Sequence, residues 1–135
     1  MGSFSDTPAL IAGGTIAPFR FVAMSSSADD TGVQASADTD KIVGVSDGST
    51  NGPLSGNHAT VGQPITLQGG ANGTVLVECA GNITVGALVE TDSSGKAQAI
   101  TTTAGTTRYH GFVALQGGAA GRIIRVQRIA GYIKY

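Results

Sequence analysis

The residues that could perform chemistry are few and widely spaced in the sequence. The chain contains two histidines, His58 and His110, and one cysteine, Cys79. Neither histidine has a second histidine at the His-x-His or i, i+4 spacing of paired zinc ligands, and one thiol cannot form a cysteine cage. No Gly-x-Ser-x-Gly elbow joins a strand to a helix. The sequence therefore predicts no catalytic residues, no metal ligands and no cofactor.

One lysine lies in a context similar to that of a modified lysine. Lipoyl carrier domains present Glu-Thr-Asp-Lys-Ala at the tip of a β-hairpin, and this chain has Glu90-Thr91-Asp92 followed, after Ser-Ser-Gly, by Lys96-Ala97. The insertion moves the lysine from the tip toward the next strand. A carrier domain is therefore the last of the functional hypotheses.

Two glycine-rich segments have closely related sequences. Residues 67–73 read Leu-Gln-Gly-Gly-Ala-Asn-Gly, and residues 115–121 read Leu-Gln-Gly-Gly-Ala-Ala-Gly. A phosphate-binding loop opens a helix and supplies Lys followed by Ser or Thr, whereas a β-branched strand follows each of these segments. Both are interpreted as hairpin turns, which join residues 64–68 to 74–79 and residues 109–115 to 123–129.

Composition and turn residues predict an all-β fold. The 135 residues include 21 glycines and no tryptophan, and only 13% are charged. Segments free of glycine and proline lack a sustained 3.6-residue apolar period. Residues 88–91 and 97–100 flank a polar loop with Gly95, which is typical of a hairpin. We expect one domain, a small β-barrel or β-sandwich of short antiparallel strands.

Four further expectations concern the interior and the loops. Phe19 and Phe21 are expected on one face of a strand over residues 15–22, and Cys79 is expected to be a small buried hydrophobe. Residues 47–60, which include His58, form a long loop of a kind that is usually functional or mobile. His110 is expected at the surface or partly buried on a strand.

The N-terminal residues differ from the rest of the chain. Residues 1–14 are small and polar, end in Gly13-Gly14 and lack the periodic apolar positions of a core element. They are predicted to form an extended arm, and residues 15–135 the β domain. The arm is either a disordered terminus or a segment that orders on a partner, with Phe4, Leu10 and Ile11 as its apolar anchors.

Charge is distributed unevenly. The net charge is −1, but residues 1–92 carry nine acids and two bases, or 2 − 9 = −7, and residues 93–135 carry six bases and no acid, or +6. Opposite charges on neighbouring strands would explain this asymmetry, and so would a two-signed surface for docking on a partner. The four arginines of the second segment lack interleaved aromatic residues, so no nucleic-acid face is predicted.

Membrane and secretion signals are absent from the sequence. No run of 18 apolar residues occurs, and no charged start leads into an apolar signal core. The sequence predicts a soluble protein made in the cytoplasm, with neither nucleic acid nor a membrane as a partner.

Four segments together resemble the tailed-bacteriophage head decoration proteins, which are also called capsid cement proteins. They are Ile42-Val43-Gly44-Val45, the strand over residues 75–78, residues 86–97, and residues 111–115 with 119–126. The resemblance extends over residues 16–129. It departs from the family pattern in the loop over residues 47–60 and in the tail over residues 131–135.

This resemblance implies a structural virion protein without catalytic residues. It would be made in the host cytoplasm, would bind the major capsid protein on the outer surface of the head as a homotrimer, and would stabilise the expanded shell. Exposed sheet edges would allow strand addition, and many modest contacts would add up through multivalency. The predicted shell contacts are Phe4, Leu10 and Ile11 in the arm and Tyr132, Ile133 and Tyr135 in the tail.

A carbohydrate-binding or adhesin-like β-module is the alternative from another class. Such a module needs surface aromatic rings for stacking on sugars. The chain has no tryptophan, and Tyr109, Tyr132 and Tyr135 do not cluster in one loop. The alternative therefore ranks below the capsid-binding hypothesis.

Overall fold

The predicted all-β fold is confirmed by the computed structural model. The structure describes residues 10–37, 40–50, 56–69, 73–100, 107–108, 111–129 and 133–134. These residues form twelve short β-strands and no α-helix, and the strands assemble into two five-stranded sheets and one two-stranded ribbon. No helix that could cross a membrane occurs within these ranges.

The first sheet is built from the N-terminal half of the chain. Its strands are β1 (Leu10–Ala12), β2 (Phe21–Met24), β3 (Thr31–Gln34), β4 (Ile42–Val45) and β5 (Pro64–Ile65). Their order across the sheet is β4-β2-β3-β1-β5. The β1–β3 pair is parallel and the others are antiparallel, so the expectation of an entirely antiparallel fold was wrong at this pair. Strand β2 lies between β1 and β3 in the sequence and forms an antiparallel hairpin with β3. Strands β1 and β3 therefore run in the same direction.

The second sheet is built from the C-terminal half. In chain order the remaining strands are β6 (Thr74–Glu78), β7 (Leu88–Thr91), β8 (Ala97–Ala99), β9 (Thr107–Arg108), β10 (Phe112–Ala114), β11 (Ile123–Arg128) and β12 (Ile133–Lys134). Five of them form an antiparallel sheet in the order β6-β11-β10-β7-β8, and β9 pairs with β12. The β7–β8 and β10–β11 pairs are the two hairpins predicted in this half.

The hairpin predicted between residues 64–68 and 74–79 was wrong. Strand β5 pairs with β1, and β6 pairs with β11 over five registered positions. The six-residue β11 presents a long β-branched edge to β6, whereas β5 has only two residues. The longer ladder satisfies more backbone groups of β6 than a local hairpin would.

The expectation that residues 1–14 contain no core element was wrong for β1. Leu10 and Ala12 are buried, whereas Ile11 between them is 45% exposed. A strand of three residues is too short for its alternation to stand out in the sequence. Residues 1–9 lie outside the described ranges.

Two apolar clusters hold the fold together, and β2 contributes to both. Phe21 and Ala23 belong to the cluster that is shared with the second sheet, whereas Val22 belongs to a cluster enclosed by the first sheet. The Phe21 ring packs on that of Phe112, with centroids 5.2 Å apart. Cys79 is fully buried in the shared cluster, as predicted. Because β2 is buried on both faces, it is the layer between the two clusters.

Phe19 does not share a strand face with Phe21, contrary to expectation. It lies in a turn with a φ of 57°, and a Cβ atom added at Gly48 would come within 2.7 Å of Phe19 Cζ. The Ser46 hydroxyl accepts a hydrogen bond from Arg20 N and donates one to Ala17 O, which fixes this turn. The strand therefore begins only at Phe21.

Candidate functional site

His58 is a buried structural residue of the loop predicted over residues 47–60. Its Nε2 lies 3.0 Å from Thr66 N, which donates to it, and its Nδ1 lies 3.0 Å from Ser49 O. Nε2 must lack a proton to accept from an amide, so the proton on Nδ1 is donated to Ser49 O. The Asp47 carboxylate lies 3.3 Å from the same nitrogen. His58 therefore fastens the loop to the first sheet. His110 lies outside the described ranges.

Lys96 is held against the body of the protein. Its Nζ lies 3.1 Å from Glu78 Oε2, and its backbone N donates to Asp92 Oδ1. The β7–β8 turn docks on the first sheet, where Phe21 N donates to Gly95 O at 2.8 Å. A carrier lysine must project from a free hairpin tip, so this geometry disfavours the carrier hypothesis.

Glu78 joins the two sheets through a pair of cations. Arg20 Nη2 lies 3.4 Å from Glu78 Oε1, and Lys96 bonds the other carboxylate oxygen. Burial by itself raises the pKa of Glu78, but the hydrogen bond from Lys96 and the charge of Arg20 outweigh it, so the net pKa lies below 4.5. Arg20 Nη1 also donates to Ser94 O in the β7–β8 turn. This cluster is an inter-sheet clamp.

The other chemical groups of the described residues do not converge. Within those ranges no three His, Cys, Asp or Glu side chains are placed to hold a metal ion. Burial raises the pKa of the Cys79 thiol, the nearby Arg122 charge lowers it, and the first effect is the larger. A buried thiol with a raised pKa is a poor nucleophile.

The predicted contact residues separate into different environments. Leu10 is buried in β1 and cannot contact a partner without leaving the core, whereas Ile11 is exposed. Ile133 is registered with Arg108 in the β9–β12 ribbon. Phe4, Tyr132 and Tyr135 lie outside the described ranges.

The free edge of β6 is covered by one glutamine side chain. Leu76 pairs with β11 on one side, and on the other side its N–H donates to Gln68 Oε1 at 2.7 Å while its carbonyl accepts from Gln68 Nε2 at 2.6 Å. Glu78 N farther along this edge donates to Phe19 O. The Gln68 carboxamide thus imitates a neighbouring strand.

Bridges between non-consecutive segments cover other edges of both sheets. A parallel bridge joins Cys79 to Ala97 at the outer edge of β8, and Ala80 N donates to Ala97 O. In the first sheet, Ser46 after β4 bridges Leu67 after β5. Each sheet therefore curls toward closure, and the expectation of exposed edges for strand addition was wrong at these positions.

The repeated Leu-Gln-Gly-Gly segments share a function that was missed in the sequence. Gln116 Oε1 accepts from Arg125 N at 3.0 Å, as Gln68 Oε1 accepts from Leu76 N. In each copy the glutamine bonds the backbone of the next strand. Only the second copy spans a hairpin. The feature that the two copies share is therefore the glutamine that bonds the next strand, and this residue was the signal to read in the sequence.

The outer surface of the second sheet carries an apolar and basic patch. Along β11, Ile123 and Arg125 are exposed, whereas Ile124 and Val126 are buried. Arg125 lies between Leu76, its registered partner on β6, and Leu115, whose N donates to Arg125 O. We call this surface the β11 face and define it by the exposed side chains Leu76, Leu115, Ile123 and Arg125. Arg122 lies on the opposite side of the strand, where a Cβ atom added at Gly118 would come 3.3 Å from Arg122 Cβ and 2.9 Å from Cγ2 of the buried Ile124.

Among the described residues, Arg125 of the β11 face has no acidic partner. The ion pairs in that part of the chain involve Arg20, Lys96 and His58, and Arg125 takes part in none of them. Arg128, at the end of the strand, lies over the Phe112 ring at 5.5 Å. An unpaired arginine beside exposed aliphatic side chains is typical of a protein-binding surface.

Comparison with known proteins provides a fold likeness without a family. No protein-family model matches the sequence, and no curated protein matches it. Among solved structures, the chain is similar to the N base of the head fiber protein gp8.5 of bacteriophage phi29. The superposition has a TM-score of 0.58 at 17% identity and covers 91% of this chain and 96% of the phage chain. The chain therefore shares the fold of that base over nearly its whole length.

Proposed function

We propose that this chain is a structural protein of a bacteriophage head. The fold likeness to a head fiber base, which covers 91% of this chain, is the observation that carries the proposal. The family resemblance of residues 16–129 points to the same class of protein. Among the described residues, the polar contacts of His58 and Glu78 hold loops and sheets together.

More specifically, we propose that the chain binds the outer surface of the capsid as a trimer and stabilises the expanded shell. A trimer that contacts several capsomers gains avidity from each added contact. A ligand that binds only the expanded shell stabilises it by mass action, by about 2.7 kcal/mol per site at a hundredfold excess over Kd. Modest contacts per subunit are therefore sufficient.

The closed sheets determine how such a protein would make its contacts. Gln68 and the Cys79–Ala97 bridge occupy backbone groups that strand addition would need. Side chains on the faces, with Ile11 at the exposed side of β1, are the remaining means of binding. The arm and the tail stay part of the proposal through Phe4, Tyr132, Ile133 and Tyr135.

A second candidate is a base that anchors an appendage to the head, and the description of the phi29 protein as a head fiber base favours it. The two functions differ in their effect on the shell. A cement raises the temperature at which the expanded head breaks, whereas an anchor need not.

Cosedimentation with phage heads tests the proposal. Purified protein is mixed with expanded and with unexpanded heads of the phage that encodes it, and the bound fraction and the temperature of DNA release are measured. We expect binding to expanded heads, an increase in that temperature and little binding to unexpanded heads. Binding without the increase would favour the anchor, and binding to neither form would refute both.

A further inference from the structure

We infer that the β11 face binds the β2–β3 turn of a second copy of this chain. The inference identifies the contact between subunits of the proposed homotrimer and rests on that proposal only for the number of copies. It assigns one contact surface to each side of a head-to-tail interface.

The β11 face has the composition of an interface. Leu76, Leu115 and Ile123 are 37%, 41% and 40% exposed. Leu76 lies opposite Arg125 on the adjacent strand β6, Ile123 lies two residues before Arg125 on β11, and Leu115 directly follows β10. Single exposed aliphatic residues are ordinary, but a contiguous group around an unpaired arginine is not. Arginine and apolar side chains are the residues that interfaces bury together.

The β2–β3 turn has the opposite charge and its own apolar neighbours. Asp29 and Asp30 are exposed at its tip, and neither forms an ion pair with another described residue. Ile11 and Met24 lie beside the turn and are 45% and 40% exposed. The tip thus offers two carboxylates and two aliphatic side chains to a basic, apolar surface.

The turn is held firmly enough to act as a docking element. Asp30 O accepts from Ile11 N at 2.9 Å, so the tip is tied to β1. Thr31 Oγ1 donates to Asp29 O, and Ser25 N donates to Thr31 O across the base of the turn. A fixed turn loses little conformational entropy when it binds.

A second copy is the occupant that the charges favour. The tip belongs to the first sheet and the β11 face to the second, and no ion pair joins Asp29 or Asp30 to Arg125 within the chain. Contact between copies would place the Arg125 guanidinium group against the two carboxylates. It would also explain why residues 1–92 carry a net charge of −7 and residues 93–135 a net charge of +6.

The contact is heterologous, since the tip of one copy meets the face of the next. Heterologous contacts form closed rings when the rotation between copies closes, and a trimer is one such ring. The apolar side chains supply the affinity, and the charges set the register and the salt dependence.

Charge reversal tests the inference in the full-length protein without phage heads. Asp29→Lys with Asp30→Lys, and separately Arg125→Glu, place like charges across the contact. Each of these two variants is expected to weaken self-association about 100-fold or more in sedimentation equilibrium. Combining all three substitutions reverses both sides and is expected to restore association.

Two controls separate this contact from general effects of charge and folding. Lys41→Glu changes an exposed charge outside both surfaces and is expected to leave association unchanged. Leu115→Ser removes an apolar contact and is expected to weaken association while leaving its salt dependence intact. Thermal melting confirms that each variant is folded.

Three results would overturn the inference. They are a monomeric wild-type protein, association that survives charge reversal on either surface, and a folded triple variant that does not associate. Binding to heads is measured separately, so a protein that associates as described but binds no head would refute the proposed function alone.

Discussion

At the scale of single residues, the buried His58 and the partly buried Glu78 both serve the fold. The sequence indicated no partner for either residue, and the structure gives each of them several. His58 fastens a loop through Thr66 N and Ser49 O, and Glu78 bonds cations from two elements. Residue type alone could not distinguish these roles, because the partners are distant in the sequence.

Replacing His58 is expected to loosen the loop that it holds. His58→Ala would leave Thr66 N–H and Ser49 C=O without their partner and create a cavity, which together cost about 3 kcal/mol. Urea unfolding followed by circular dichroism measures this cost. Val61→Ala, at a side chain that is 72% exposed, is the control, and it is expected to change stability by less than about 0.5 kcal/mol. An equally small effect of His58→Ala would contradict the assigned role.

The lowered pKa of Glu78 predicts that the protein loses stability as the pH becomes acidic. Its pKa is below 4.5 in the folded protein, so the carboxylate stabilises the fold at neutral pH and loses this contribution as pH falls through the folded pKa. Glu78→Gln is expected to cost about 1 kcal/mol at neutral pH, because both ion pairs are partly exposed. The difference from wild type is expected to shrink below pH 4.5.

Urea midpoints at pH 7 and near pH 3 check this dependence. Lys41→Gln, at an exposed lysine, is the matched control and is expected to have no effect at either pH. A wild-type advantage that grows on acidification would show that the Glu78 carboxyl is stabilised in its protonated form.

At the scale of elements, local signals predicted local structure. The β7–β8 and β10–β11 hairpins follow from turn residues flanked by β-branched residues, and both are present. The pairings of β1 with β5 and of β6 with β11 join distant segments, so no turn signalled them. Leu10 was predicted as a contact residue but is buried, because a three-residue strand carries too little pattern to reveal its inward face.

The Gln68 side chain is expected to protect the edge of β6. Gln68→Ala would free the N–H and C=O of Leu76, lower stability by about 2 kcal/mol and expose an edge that favours strand-to-strand aggregation. Unfolding measurements and light scattering during incubation check both effects. Gln116→Ala, which removes the equivalent bond to Arg125 N inside a hairpin, is the matched control and is expected to destabilise without aggregation. Equal aggregation of both variants would contradict edge protection.

At the scale of the whole molecule, β2 makes one cooperative unit of two clusters. Phe21 faces the cluster shared by the sheets, and Val22 faces the cluster within the first sheet. Because β2 belongs to both clusters, unfolding of one cluster removes packing contacts from the other. The molecule is therefore expected to behave as a rigid module whose binding surfaces keep a fixed relation.

Cysteine reactivity measures this cooperativity. Cys79 is fully buried in the shared cluster, so its labelling by a thiol reagent is expected only on global unfolding. Val22→Ala, in the other cluster, is expected to lower stability by about 2 kcal/mol and to accelerate labelling of Cys79 by about 30-fold under fast-reclosing conditions. Destabilisation without faster labelling would indicate that the clusters unfold independently.

A reconstruction of the intact virion tests the central claim most directly. We predict density for this fold on the outer surface of the capsid, in threefold arrangements, with the β11 face of each copy against the β2–β3 turn of the next. A well-resolved capsid without such density, from virions of the phage that encodes the chain, would contradict the proposal that it is a structural protein of the head.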